Sequence, residues 1–262
     1  MNLVDFHARL GPGTLDALLA TMDDAGIARA AVSAGGLVTL DRLSELVAAP
    51  ETPAAPETPG GVETPGAGAR PAADNAAVLA AARSSGGRLL PFFFADPASD
   101  VDSYAKAAAD YRGLEISPAI HGFRFDDPAV RDLVATADDA RHPVYVVCLA
   151  RPGTGAGDLG ALARDFPRVD FVFGHCGFTG LDAGGLATLA PVPNVVAELS
   201  GCFTAIARLA LRRFGPDRVL FGTEYPLQHP RVELVKLAAL GLDAATYHRV
   251  TSGNARRLLG ET

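Results

Sequence analysis

The chain is poor in thiols, in lysine and in long apolar runs, and each shortage excludes something. Its 262 residues hold three cysteines, Cys148, Cys176 and Cys202, an odd number without a CxxC pair. That excludes a disulfide framework and fits a reducing compartment. No apolar run reaches the length needed to span a bilayer. The N-terminus shows no basic segment followed by a long apolar stretch, so no signal peptide is expected. Acidic residues outnumber basic ones and the formal net charge is −7. That balance argues against nucleic acid or an anionic membrane as the main partner. The expectation is a cytoplasmic protein that handles a small molecule, with a homodimer as the base-rate assembly.

What is present is periodic. Apolar residues make up 48% of the chain, enough for one sizeable core. Short β-rich runs alternate with Ala/Leu-rich amphipathic stretches. Strands are expected at Leu3–Arg9, Ala28–Ser33, Leu89–Phe94, Gly113–Ser117, Val144–Leu149, Asp170–His175, Asn194–Leu199 and Arg218–Gly222. Helices are expected at Leu15–Ala25, Val101–Tyr111, Ala129–Ala140, Leu159–Asp165, Phe203–Arg213 and Val232–Leu240, with a last one over about Ala244–Leu259. Eight strands, each followed by a helix, predict an α/β fold, a single-domain (β/α)8 barrel over residues 1–262. A doubly wound open sheet is the runner-up, but "ARLGPGT" after the first strand is not the GxGxxG phosphate turn that fold would use. Residues 50–73 break the rhythm. They repeat Glu-Thr-Pro three times and are rich in Pro and Gly, which predicts a mobile, disordered insertion.

In such a barrel the reactive residues stand at the C-terminal strand ends. The first strand offers Asp5, His7 and Arg9, which share one face by the two-residue period. The fourth offers Glu115 and Ser117, the fifth Val147 and Cys148, and the sixth His175 and Cys176. The seventh offers Glu198, Ser200 and Cys202. The eighth offers Glu224, with His229 in the loop beyond.

The stretches "VDFHARLG", "FPRVDFVFGHCGF", "FGPDRVLFGTEYP" and "SGNARRLLG" resemble the amidohydrolase superfamily. The branch is amidohydrolase-2, which includes aminocarboxymuconate-semialdehyde decarboxylase-like and lactonase-like proteins. The resemblance implies a barrel that uses a metal ion to activate water or polarise a substrate. The match at the implied ligand positions is partial. His7 and His175 fit, Arg9 and Val147 stand where the family has histidines, and Glu224 stands where it has aspartate. A binuclear site bridged by a carboxylated lysine is excluded, because the two lysines, Lys106 and Lys236, fall in expected helices.

Two fillings of the site remain open. In one, His7, His175 and Glu224, with Glu115 nearby, hold a single zinc, manganese or iron ion, joined by Cys148 if a bulge turns it inward. In the other, which is favoured, the site is metal-free and Arg9 replaces the ion, pairing with Glu224 or Glu115 or gripping a substrate carboxylate. His175, Glu224 and His7 are the expected catalytic residues. Arg9, Glu115, His121 and Arg124 are the expected substrate contacts. The cysteines are read as small packing residues, His142 as structural, His248 as a surface residue and His229 as a weak pocket candidate. The function expected is a hydrolase of C–N, ester or lactone bonds, or a non-oxidative decarboxylase or other lyase. The substrate would be a small molecule with a carboxylate or carbonyl. The alternative is a non-catalytic barrel that binds or scaffolds.

Overall fold

Eight parallel strands follow one another in chain order around the sheet. In the computed structural model of the chain, which describes residues 2–11, 15–35 and 72–261, they are β1 (Leu3–Leu10), β2 (Ile27–Ala34), β3 (Leu89–Ala95), β4 (Gly113–Ile116), β5 (Val144–Val146), β6 (Phe171–Phe173), β7 (Val195–Glu198) and β8 (Val219–Leu220). Backbone bonds between β1 and the segment after β8 close the ring. Phe6 N donates to Phe221 O at 2.9 Å, Glu224 N to His7 O at 2.8 Å, and Arg9 N to Tyr225 O at 2.7 Å. The architecture is the expected single-domain (β/α)8 barrel. Residues 50–71 of the expected insertion lie outside the described residues.

The helices between and after the strands are α1 (Leu15–Ala25), α2 (Asn75–Ser84), α3 (Val101–Ala107), α4 (Pro118–His121), α5 (Pro128–Ala140), α6 (Ala156–Asp165), α7 (Ala183–Leu189), α8 (Thr204–Phe214), α9 (Pro230–Leu240), α10 (Ala244–His248) and α11 (Asn254–Leu258). Prolines at the first turns of α5 and α9 suit positions whose amide has no intrahelical partner. The last helix is not continuous as expected. A π-helical turn over Arg249–Gly253 separates α10 from α11. There the backbone serves the barrel: Val250 O accepts from Phe221 N at 3.0 Å. Asn254 Nδ2 donates to Pro216 O and Val219 O, each at 2.8 Å.

Alternation along each strand divides the core into two layers. Val4, Phe6, Leu90, Phe92, Tyr145, Val147, Val172, Val196 and Leu220 fill the lumen, joined by Ala255, Leu258 and Leu259 from the chain's end. The other face of the strands packs against the helices, where Ile116, Val144, Val146, Phe171 and Phe173 are fully buried. Each such side chain contributes about 1.5–3 kcal/mol through burial. Among the described residues no helix is long and apolar enough to cross a membrane.

Candidate active site

The site begins with a bulge. Asp5 pairs with Ala30 and Ala8 with Val32, so three steps on β1 match two on β2. The extra residue lets two sequence neighbours face inward. Phe6 meets Phe92 edge-on, with centroids 5.7 Å apart, and His7 lies flat on Tyr145, at 4.0 Å and 6°. The expectation that Asp5 joins His7 and Arg9 on one face is thereby corrected. Asp5 instead clamps the bulge to the turn after β8. It accepts from His7 N at 3.1 Å, Thr223 N at 3.0 Å and Thr223 Oγ1 at 2.6 Å. Burial lifts its carboxyl to about 7 against the pull of Thr223.

That clamp brings Glu224 beside β1. Arg9 holds one of its oxygens, with Nε 3.0 Å from Oε1. The Arg9 fork also reaches Glu115 Oε1 at 2.7 Å and Ala34 O at 3.1 Å, and Phe94 lies against it at 5.3 Å. The arginine therefore bridges both carboxylates. Burial opposes every charge in this cluster, and the neighbours overcome it. Arg9 and His7 hold Glu115 at about 2, while Glu224 and Glu115 lift His7 to about 10. His175, His7 and Arg9 hold Glu224 well below the usual carboxylate range.

The second oxygen of Glu224 faces the imidazoles. Oε2 stands 2.8 Å from His7 Nδ1 and 2.8 Å from His175 Nε2. His7 Nδ1 and Glu224 Oε2 are both buried without a hydrogen bond, as are His7 Nε2 and Glu115 Oε2. Close donors that miss hydrogen-bond directions are what a shared ligand point produces. His7, His175 and Glu224 offer ligand atoms all within 4.8 Å of one another. Two imidazoles and a carboxylate with an open position fit one zinc, manganese or iron ion. Arg9 sits on the other side of the carboxylate, at Oε1, outside that set.

Two of these three residues stand on strained backbone. His175 and Glu224 both have φ 57°, and Cys176 has φ 52°, a left-handed region that costs a non-glycine residue about 1–3 kcal/mol. At His175 the strain is offset from below by Glu198, fully buried at the end of β7. Glu198 Oε2 accepts from His175 N at 3.1 Å, Tyr145 Oη at 2.8 Å and Ser200 Oγ at 2.8 Å. Both hydroxyl protons go to Glu198, so Ser200 Oγ is free to accept from His175 Nδ1, 2.8 Å away. Two glycines make room. A Cβ on Gly174 would lie 2.5 Å from the Tyr145 ring, and one on Gly222 would strike Glu198 Oε1.

The remaining sequence candidates lie elsewhere. His121 is buried beside Phe94, with centroids 5.2 Å apart. Arg124 is exposed, and its fork is occupied by Asp126 at 2.9 and 3.1 Å. No bulge turns Cys148 inward; it packs in the strand–helix layer, where burial pushes its thiol well up. Cys202 and burial do the same to Cys176, which leaves little thiolate for nucleophilic attack. His142 is buried with Nδ1 2.8 Å from Tyr104 Oη. His229 caps α9, and His248 is exposed. Sequence reasoning named Glu198 and Ser200 but gave them no role, and it passed over Tyr145. The Tyr145 signal was its place two residues before Val147, hence on the same inward face.

The sequence profile of the family described as Amidohydrolase matches residues 4–260. No curated protein matches the chain in sequence. Several solved structures share the fold. An uncharacterized TIM-barrel protein from Bordetella bronchiseptica superposes with TM-score 0.74 at 17% identity, covering 100% of this chain and 99% of that one. A probable 2-pyrone-4,6-dicarboxylic acid hydrolase from Acinetobacter baumannii, with citric acid bound, gives 0.72 at 12% identity over 99% and 100%. 2,6-Dihydroxybenzoate decarboxylase from Rhizobium gives 0.67 at 16% identity over 99% of each.

Proposed function

The chain belongs to the amidohydrolase family, and on that premise we propose that its barrel mouth is the active site of a small-molecule enzyme. The enzyme is a hydrolase or a non-oxidative decarboxylase, and its substrate carries a carboxylate or carbonyl group. The observation that carries this reading is the meeting of His7 at the bulge of β1 with His175 and Glu224 in the turns after β6 and β8, with Glu224 Oε2 2.8 Å from each imidazole. The chemistry of the substrates named for the hydrolase and decarboxylase of like fold supports it. A binding barrel would have no use for left-handed backbone at both His175 and Glu224.

His175 and Glu224 reach the mouth, with 12% and 11% of their side chains exposed, above the buried His7 and Glu115. In ester or lactone hydrolysis Glu224 takes the proton of the attacking water and His175 gives one to the departing oxygen. In decarboxylation the carbon that loses carbon dioxide takes its proton from His175. Such transfers contribute roughly 10²–10⁴ in rate. A divalent ion held by His7, His175 and Glu224 would polarise a carbonyl and lower the pKa of water to about 7. We favour the acid–base site that needs no ion, because Arg9 already supplies a fixed positive charge to both carboxylates.

A panel of aromatic and aliphatic carboxylates, lactones and esters, assayed for released carbon dioxide and released acid, tests the reading. Turnover of one class by the parent, and its loss in His175→Gln and Glu224→Gln, is expected. Undiminished turnover in both variants would overturn it.

A further inference from the structure

The carboxylate beneath the site leads to a layered support for His175. Glu198 is buried, accepts the hydroxyl protons of Tyr145 and Ser200, and also accepts Ser200 N at 2.6 Å. Ser200 in turn offers His175 Nδ1 two acceptors, Oγ at 2.8 Å and its own carbonyl at 3.2 Å. Ser200 sits on a turn that has to be held still for this to work. The turn is gripped from α9 by a second buried pair, Glu233 and Lys236, whose side chains contact each other. Lys236 Nζ donates to Leu199 O at 2.6 Å and Cys202 O at 2.9 Å, on either side of Ser200. Glu233 Oε1 accepts from Gly201 N at 3.2 Å. Three main-chain groups of residues 199–202 are thus fixed by two side chains one helical turn apart.

A buried lysine–glutamate pair is a costly way to hold a turn. Its desolvation consumes most of what the attraction returns, and an apolar pair of equal volume is often as stable. What the charged pair adds is geometry, because an ammonium with three directed protons sets two carbonyls at once.

We infer that Glu198 and Ser200 are positioning residues for His175, and that the Glu233–Lys236 pair keeps them in register with it. The inference rests on the proposed role of His175 in proton transfer. Ser200 fixes the ring through Nδ1–H, so that Nε2 faces Glu224 Oε2 at 2.8 Å and Tyr145 Oη at 3.3 Å on the reacting side. Glu198 commits the Ser200 and Tyr145 protons so that neither hydroxyl competes as a donor to the ring. Lys236 touches neither substrate nor His175 and acts only through the turn.

Protein labelled with ¹⁵N-histidine, with the His175 signals assigned by His175→Gln, provides a readout independent of turnover. In Ser200→Ala the Nδ1 proton of His175 should exchange with solvent faster than in the parent, and in Ser200→Thr it should return. On whichever carboxylate or lactone the parent turns over, Ser200→Ala and Glu198→Gln should lose about 10–100-fold in kcat with KM unchanged. Lys236→Met should show the same split more weakly, and Lys236→Arg should recover part of it. An unchanged kcat in Ser200→Ala overturns the inference, whatever the proton does. So does a kcat loss with the Nδ1 proton unmoved. Full activity in His175→Gln would instead overturn the proposed function, which separates the two failures.

Discussion

His175 Nε2 and Glu224 Oε2 stand 2.8 Å apart, and both residues reach that distance from backbone at φ 57°. The strain is local and separable from the chemistry. Asparagine adopts left-handed backbone more readily than histidine, and a β-branched residue far less readily. His175→Asn should therefore fold with stability equal to or above the parent in urea unfolding. His175→Val should lose about 1–2 kcal/mol. Both should lose activity, which would mark the position as held for function at the cost of stability.

Arg9 joins two acids from strands far apart in sequence, Glu115 on β4 and Glu224 after β8. Removing it leaves Glu115, which has no exposed side-chain surface, with only His7 Nε2, 3.5 Å away, as a cationic partner among the described residues. Arg9→Met should cost about 3–5 kcal/mol in denaturant unfolding. Arg9→Lys should recover little, because a single ammonium cannot span both carboxylates as the planar fork does. Adding Glu115→Leu to Arg9→Met should restore much of the loss, since an apolar pair needs no counter-charge.

Gly174 and Gly222 are set by side chains rather than by their own backbone. Each gives up the space that Tyr145 or Glu198 occupies. Gly174→Ala would press on the Tyr145 ring and, through its stacking, on His7. It should cost about 1–3 kcal/mol and reduce turnover. Tyr145→Leu in the same chain should relieve the clash. If Gly174→Ala unfolds at the parent's urea concentration, the packing of Tyr145 under the site is wrong.

Most of the barrel was legible in the sequence because the strands are short apolar runs in steady alternation with helices, and β1 to β8 all fall where those runs do. Five site residues were legible for a related reason: strand-end polar residues have few places to go in a closed barrel. What sequence could not show depends on neighbours. The bulge in β1 is a mismatch with β2, so the two-residue period wrongly put Asp5 on the face of His7. The apolar run around Tyr145 hid a ring whose hydroxyl serves Glu198. The turn that lets Ser200 meet His175 is fixed by α9, thirty residues downstream.

His142 supplies a pH dependence away from the site. Burial lowers its pKa to about 4 from an ordinary value of 6.5, although a bond to the Tyr111 backbone opposes the shift. The unfolded chain therefore binds this proton more readily than the fold. Stability from this source is complete above pH 6.5, falls as pH drops towards 4, and is flat below that. The loss should be about 3 kcal/mol. Asp5, lifted to about 7 by burial, acts in the opposite sense as pH falls. The difference between the parent and His142→Gln in urea midpoint, measured from pH 8 to pH 4, isolates the histidine. No difference in slope would show that His142 is not buried neutral.

The metal question turns on a competition at His7. Its neighbours Glu224 and Glu115 outweigh burial and lift its pKa to about 10, so an ion at Nδ1 must first displace a proton. Each ion bound near pH 7 should release that proton, and apparent affinity should rise by about tenfold per pH unit below the pKa. Arg9 adds a cation beside the same carboxylate. Protein purified without chelator or nickel should therefore carry well under one equivalent of zinc, manganese or iron by plasma mass spectrometry. Val147 lines the lumen on the face of Tyr145, so Arg9→His with Val147→His would add two imidazoles and remove the cation. That double variant should take up zinc near stoichiometry. A parent that already holds a full equivalent, and loses it in His7→Ala, would mean that three ligands suffice and that Arg9 orients Glu224 for the ion.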